Sequence, residues 1–141
     1  MRLPYRREPV LPSPAHRARS SVLRPRIRVR VRHRDRFVDV LALIDSGADD
    51  CLFPKGIADL LDLPLQAENA CRYVGVGGDE VRSVFQAVTL EIGHWSFPAY
   101  VGFLEAPTAP ALLGQNGFFS RFIVKFDLPR EAMEIELAQE A

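Results

Sequence analysis

The strict alternation of arginine and aliphatic residues over residues 26–32 constrains the fold of this chain more than any other feature. The run reads RIRVRVR. Because successive side chains of a β-strand point to opposite faces of a sheet, the pattern predicts a strand that turns Ile27, Val29 and Val31 toward a core and the arginines toward solvent. Charged side chains are a usual protection of an exposed strand edge, so we expect a solvated edge strand here. Residues 37–44 predict the returning strand.

The remainder of the chain continues as short β segments separated by turns rich in glycine, proline or aspartate. The predicted segments are residues 71–76, 80–92, 96–104, 122–126 and 133–137. Residues 54–63 predict one short helix, which Pro64 ends, and residues 115–120 are compatible with one or two further helical turns. The sum predicts an all-β protein, a closed β-barrel-like architecture with one or two short helices.

The composition is that of a single soluble domain, because 48% of the 141 residues are hydrophobic and such a chain buries one core. No apolar run is long enough to span a bilayer, and the N-terminus lacks the apolar stretch of a secretory signal. We therefore expect a cytoplasmic protein with no membrane partner. Cys51 and Cys71 are too far apart for a zinc motif and the histidines lack ligand spacing, so neither a metal nor another cofactor is expected.

The charge is distributed unevenly, although the net charge is zero. Residues 1–36 contain 12 arginines against Glu8 and Asp35, whereas the remainder carries 6 basic and 16 acidic side chains. Residues 1–24 are rich in proline and arginine without an apolar period, which predicts a flexible arm ahead of a folded domain at 25–141. The row of arginines could bind nucleic-acid phosphates. No aromatic side chains are interleaved with it to stack on bases, so nucleic acid is not the expected partner.

An apolar run leads directly to a carboxylate at residues 41–50, which read LALIDSGADD. Asp, Ser and Gly are the residues that turn a chain most easily, so a plain surface turn is one interpretation. Two further motifs follow. The sequence GVGGD at residues 75–79 permits a tight hairpin tip, and LLG occurs at residues 112–114.

Together these motifs resemble the retropepsin family, the single-domain aspartic proteases of retroviruses, retrotransposons and various bacteria. In that family a hydrophobic-hydrophobic-Asp-Thr/Ser-Gly-Ala motif carries the catalytic acid, and a hydrophobic-hydrophobic-Gly motif supports it from behind. Here the first motif is LIDSGA at residues 43–48, and the second consists of Leu112, Leu113 and Gly114. The resemblance covers about residues 25–137 in the family's order: hairpin, active-site turn, flap, hydrophobic-Gly motif, short helix and closing strand.

The resemblance implies a role for each matching residue. Asp45 would be the catalytic acid, the Ser46 hydroxyl would bond across a two-fold axis, and Gly47 would let two turns approach without a Cβ clash. A peptide substrate would bind as an added β-strand. The residues expected to contact it are Ala48, Asp49 and Asp50 and, in the flap, Gly75, Val76, Gly77 and Gly78. A structural ion pair is an equal alternative for Asp49.

The chemistry of the motif requires two copies of it. Peptide hydrolysis needs one group to take a proton from water and another to give a proton to the carbonyl oxygen, and two carboxylates that share a proton do both. This chain has one such motif, so the resemblance implies a homodimeric aspartic endopeptidase. Two alternatives stay open: a non-catalytic dimerisation or peptide-binding module of the same fold, and nucleic-acid binding through the Arg-rich N-terminal region.

Two positions depart from the family pattern. Many members have an arginine after the hydrophobic-hydrophobic-Gly motif that pairs with an acid near the active site, and this chain has Gln115 there. Asp49 is then left to one of the N-terminal arginines. Ser46 lacks the methyl group of a threonine, so a looser dimer is expected.

Overall fold

The structure is a computed structural model that describes residues 1–74 and 77–139. Most elements are short β-strands, as the alternating patterns predict. The strands are β1 (Arg2–Pro4), β2 (Arg6–Pro9), β3 (Ser21–Arg24), β4 (Arg26–His33), β5 (Arg36–Ile44), β6 (Leu52–Pro54), β7 (Ala70–Val74), β8 (Glu80–Ile92), β9 (Trp95–Leu104), β10 (Ala111–Leu113), β11 (Phe122–Asp127) and β12 (Ala132–Leu137). One helix, α1 (Lys55–Leu60), follows β6, and single 3₁₀ turns occupy Ala67–Asn69 and Leu128–Arg130.

Six of these strands close into a barrel. Their hydrogen-bonded order is β4-β5-β10-β6-β9-β8, and β8 pairs back onto β4. Strand β10 runs parallel to β5 and β6 runs parallel to β9, while the other neighbours are antiparallel. This closure confirms the expected all-β, barrel-like fold.

Strand β4 is not the solvated edge strand that its arginines suggested. It pairs with β5 along its length, from Arg26 opposite Leu43 to His33 opposite Arg36. Its second half also pairs with β8, where Arg30 lies opposite Glu91. The difference arises because side-chain alternation determines which residues share a face and says nothing about which strands lie at the two edges.

The core lies inside the barrel and extends under an outer sheet. Ile27, Val29 and Val31 are at most 4% exposed, so the alternation of β4 identified the buried face correctly. Strands β1, β12 and β11 form a separate three-stranded sheet. Its residues Met133 and Ile135 belong to the same hydrophobic cluster as the barrel residues.

Three segments of residues 1–24, for which the composition predicted a flexible arm, form strands. Strand β1 pairs antiparallel with β12, and β2 pairs with β3. The Met1 amino group donates to the Ile135 carbonyl at 2.7 Å, and Leu3 packs against the core. Short edge strands need few apolar residues, because backbone hydrogen bonds to an existing sheet hold them in place.

The two helical predictions have different outcomes. Helix α1 lies within the predicted range 54–63, and Asp62 follows it with φ 54°. Residues 115–120 form consecutive turns instead of a helix. Gly117 has φ 104° there, a conformation that no α-helical residue adopts.

Candidate active site

Asp45 stands at the point where β5 leaves the barrel. Strand β5 ends at Ile44, which lies beside Leu113 of β10. The Asp45 N–H donates to the Leu113 carbonyl at 3.0 Å, and the Ala48 N–H donates to the Asp45 carbonyl at 3.2 Å. The chain therefore turns sharply at Asp45 while its backbone stays attached to the buried strand behind it.

The carboxylate of Asp45 is oriented by its own turn. The Gly47 N–H donates to Asp45 Oδ1 at 2.9 Å. A Cβ added at Gly47 would lie 3.3 Å from that oxygen, so glycine keeps the approach open. Asp45 is half-buried, whereas Ser46 and Gly47 are exposed at the tip of the turn. The acid thus has a fixed orientation beside an accessible surface.

The LLG motif lies directly behind this turn. Leu112 and Leu113 pair with Leu43 and Ile44. Gly114 comes so close to the following loop that an added Cβ would lie 2.3 Å from the Asp50 carbonyl oxygen and 2.6 Å from that of Ala48. Only glycine permits such an approach of two backbones.

Hydrogen bonds across this contact join the two motifs. The Gln115 N–H donates to the Ala48 carbonyl and the Asn116 N–H donates to the Asp49 carbonyl, both at 2.8 Å. Gln115 Nε2 also donates to the Ser46 carbonyl at 3.0 Å. The side chain that replaces the family's arginine therefore braces the turn itself.

The two acids after Ala48 have different surroundings. Asp50 is half-buried, and its carboxylate accepts from Asn116 Nδ2 at 3.2 Å and from the Tyr73 hydroxyl. Asp49 is exposed, and within residues 1–74 and 77–139 it forms no ion pair. The expected pairing of Asp49 with an N-terminal arginine is therefore not observed.

Tyr73 belongs to an aromatic row across strands β7, β8 and β9. Its ring centroid lies 6.2 Å from that of Phe85, which lies 5.5 Å from that of Tyr100. Burial, together with the hydrogen bond to Asp50, raises the pKa of Tyr73 well above its ordinary value. The phenol therefore keeps its proton well above neutral pH.

The predicted flap is described only in part. Strands β7 and β8 form an antiparallel hairpin from Ala70 opposite Val84 to Val74 opposite Glu80. Gly75 and Val76 lie outside the described residues. Gly77 and Gly78 are exposed in the turn, and the φ of 82° at Gly78 is one that glycine adopts readily.

The structure thus gathers residues 45–50 and 112–114 into one cluster. Sequence reasoning missed Tyr73 and did not assign Asn116 a role, although both contact Asp50. The sequence could have pointed to Asn116, since it stands two residues after Gly114 of the hydrophobic-Gly motif. Nothing in the sequence pointed to Tyr73 beyond its place just before the glycine-rich stretch.

The arginine row of β4 forms ion pairs with three acids, Glu8, Asp39 and Glu91. The pairs are Arg26–Glu8, Arg28–Asp39, Arg30–Asp39 and Arg32–Glu91, with nitrogen-to-oxygen distances of 2.7, 2.5, 2.8 and 2.7 Å respectively. The Arg30 guanidinium also lies 3.9 Å from the centre of the Phe37 ring. A nucleic-acid phosphate would have to displace these carboxylates, which weakens the nucleic-acid interpretation.

The remaining chemical groups are placed as follows. Cys51 is fully buried beside the site, and burial raises the pKa of its thiol to about 11, whereas Cys71 is exposed on β7. Over the described ranges 1–74 and 77–139, no group of three or more His, Cys, Asp or Glu side chains could hold a metal ion. No helix in that part of the chain is long and apolar enough to cross a membrane.

A closed β-barrel that presents an Asp-Ser-Gly turn, braced from behind by a hydrophobic-Gly strand, defines a retropepsin-like acid protease fold. Similar solved structures have this fold. A retropepsin-like aspartic protease from Rickettsia conorii is 16% identical, with a TM-score of 0.58 over 92% of this chain and 98% of that one. The EIAV protease in complex with the inhibitor HBY-793 is 23% identical, with a TM-score of 0.50 over 65% of this chain and 82% of that one.

Sequence comparison identifies the family. Residues 28–116, more than half of the chain, match the model of the aspartyl protease family, and the chain belongs to that family. No curated protein matches the sequence significantly.

Proposed function

We propose that this protein is an aspartic endopeptidase that acts as a homodimer, with one Asp45 contributed by each subunit. The observation that carries the proposal is the geometry of the turn: the Asp45 carboxylate is oriented by the Gly47 N–H at 2.9 Å, while Ser46 and Gly47 are exposed. A second turn can therefore reach the carboxylate without unfolding either chain.

The paired carboxylates would divide the chemistry between them. The ionised Asp45 accepts a proton from water as the water oxygen attacks the peptide carbonyl, and the protonated Asp45 of the other subunit donates to the carbonyl oxygen. Collapse of the tetrahedral intermediate then breaks the C–N bond: the nitrogen gains the proton that the first Asp45 took from water, and a hydroxyl of the intermediate returns a proton to the second Asp45. No covalent bond to the protein forms in either step.

The peptide would lie extended along the loop after the turn. Ala48, Asp49 and Asp50 form the floor in this proposal, and backbone groups there would bond to the peptide as to an added strand. The β7–β8 hairpin, with Gly77 and Gly78 in its turn, would line the opposite side. This arrangement selects unfolded or loop segments of proteins as substrates.

The decisive test replaces Asp45 by asparagine and assays a broad peptide library between about pH 4 and 7. Asn keeps an oxygen that can accept from Gly47 but cannot exchange the proton, so cleavage should fall by about 10²- to 10⁴-fold with the fold retained. Asp62→Asn is the matched control, because Asp62 is an exposed acid after α1. Equal cleavage by Asp45→Asn would refute the assignment.

The same variant tests the dimer. Excess Asp45→Asn protein mixed with wild type should inhibit cleavage, because heterodimers contain only one competent carboxylate, and excess Asp62→Asn should not inhibit. Cleavage that is unchanged by excess Asp45→Asn protein would contradict a site shared between subunits. A dimer that binds peptides and cuts none of them would instead favour a non-catalytic peptide-binding module.

A further inference from the structure

We propose that Tyr73 is a positioning residue, whose hydroxyl bond to Asp50 fixes strand β7 against the loop that follows Asp45. Its consequence for catalysis rests on the proposed peptidase function. The structural part of the proposal stands independently of that function.

Strand β7 needs such an anchor because it lies at an edge. It pairs with β8 alone among the described strands, so its other edge has no backbone partner there. Along the strand Cys71, Arg72 and Val74 are exposed, and Ala70 and Tyr73 are half-buried. Of these side chains, that of Tyr73 donates a hydrogen bond to the active-site loop, at Asp50.

Asp50 is a suitable anchor because its own position is fixed. Its carboxylate accepts from Asn116 Nδ2 at 3.2 Å, and its backbone is packed against Gly114. A hydrogen bond from a phenol to a carboxylate is charge-assisted and is stronger than a bond between neutral groups. The raised pKa of Tyr73 keeps the donor proton in place.

The aromatic row provides a matched pair of variants. Tyr73→Phe removes only the hydroxyl and leaves the ring in contact with Phe85. Tyr100→Phe removes a hydroxyl from the other end of the same row, and no hydrogen bond of that hydroxyl occurs within residues 1–74 and 77–139. Any general effect of losing a tyrosine hydroxyl from this row should appear in both variants.

The structural test is hydrogen–deuterium exchange of residues 70–74 and 80–84 in the full chain. Tyr73→Phe should exchange about tenfold faster than wild type there, the change that corresponds to ~1.4 kcal/mol. Tyr100→Phe should match wild type. Equal exchange in the two variants would overturn the proposal.

A double-mutant cycle tests whether Asp50 is the partner. Asp50→Ala, which leaves no acceptor for the Tyr73 hydroxyl, should accelerate exchange of the same residues. Adding Tyr73→Phe to it should have less effect than in the wild-type background, since both changes remove the same hydrogen bond. Full additivity of the two changes would show that Tyr73 acts through another group.

The kinetic test separates positioning from general structural damage. In Tyr73→Phe, KM for a cleaved peptide should rise about tenfold while kcat stays near wild type, because Asp45 and its turn are untouched. A fall in kcat at constant KM would contradict a positioning role. If wild type cuts no peptide, the proposed function fails, and the exchange experiment still decides whether the anchor exists.

Discussion

Replacing Gly114 by alanine should break the contact that holds the active-site loop to the strand behind it. The new Cβ would lie 2.3 Å from the Asp50 carbonyl oxygen and 2.6 Å from that of Ala48. Both atoms belong to the backbone, so no side-chain rotation can relieve the clash. Because favourable non-bonded separations are about 3.5 Å, the loop would have to move by roughly 1 Å.

The cost of that movement can be worked out from the bonds it affects. The two 2.8 Å bonds from the N–H groups of Gln115 and Asn116 would stretch beyond bonding distance, at about 1 kcal/mol each. Overpacking adds about 1–3 kcal/mol. We therefore expect a loss of ~3–5 kcal/mol in the free energy of unfolding. A displacement of about 1 Å beside Asp45 should also lower cleavage by about 10²-fold.

Urea denaturation at fixed protein concentration measures the loss, since the stability of the proposed dimer would depend on concentration. The matched control is Gly56→Ala. Gly56 lies in α1 with nothing within 4 Å of an added Cβ, so alanine there should stabilise the protein by about 0.5–1 kcal/mol. A loss below about 1 kcal/mol for Gly114→Ala would refute the close backbone approach.

Two further predictions concern thiols and charge. A thiol reagent should label the exposed Cys71 in the native protein. It should label Cys51, which is buried and has a thiol pKa of about 11, only after unfolding. Mass spectrometry would show which cysteine is labelled, and rapid labelling of Cys51 in the native protein would contradict its burial. Hydrogen bonds from Arg30 and Arg28 hold the pKa of Asp39 well below its usual range, so this carboxylate stabilises the fold above about pH 4 and loses that contribution as the pH falls toward its folded-state pKa. In thermal denaturation, the Tm of Asp39→Asn should therefore lie below that of wild type at neutral pH, and the difference should shrink in acid. A Tm difference that does not change with pH would contradict the linkage.

The features that the sequence predicted well are those written in local patterns. Alternation identified Ile27, Val29 and Val31 as buried, because the face that a side chain takes depends only on its parity along the strand. The turn at Asp45 could also be predicted from the sequence, since an apolar strand followed by Asp-Ser-Gly combines a buried anchor with turn-forming residues. Resemblance to a family then connected this turn with Gly114, which local pattern alone could not do.

The features that the sequence did not predict depend on which elements meet. Residues 1–24 look like a disordered arm by composition, but strand β1 completes a sheet with β12, a partner more than a hundred residues away. Strand β4 shows the same limit, because its arginines suit an exposed edge as well as an outer face paired with acids. Composition describes a segment in isolation, whereas edge pairing depends on the rest of the fold.

Tyr73 and Ser46 differ in whether the folded chain gives their side chains a hydrogen-bond partner. The Tyr73 hydroxyl has a partner 23 residues away, so its role follows only from the folded chain. The Ser46 side chain is exposed, and within residues 1–74 and 77–139 its hydroxyl forms no hydrogen bond, although its backbone is held by Gln115. The Ser46 hydroxyl is therefore accessible on a turn whose backbone is held in place. In the proposed homodimer, this exposed tip would be the contact between the two chains.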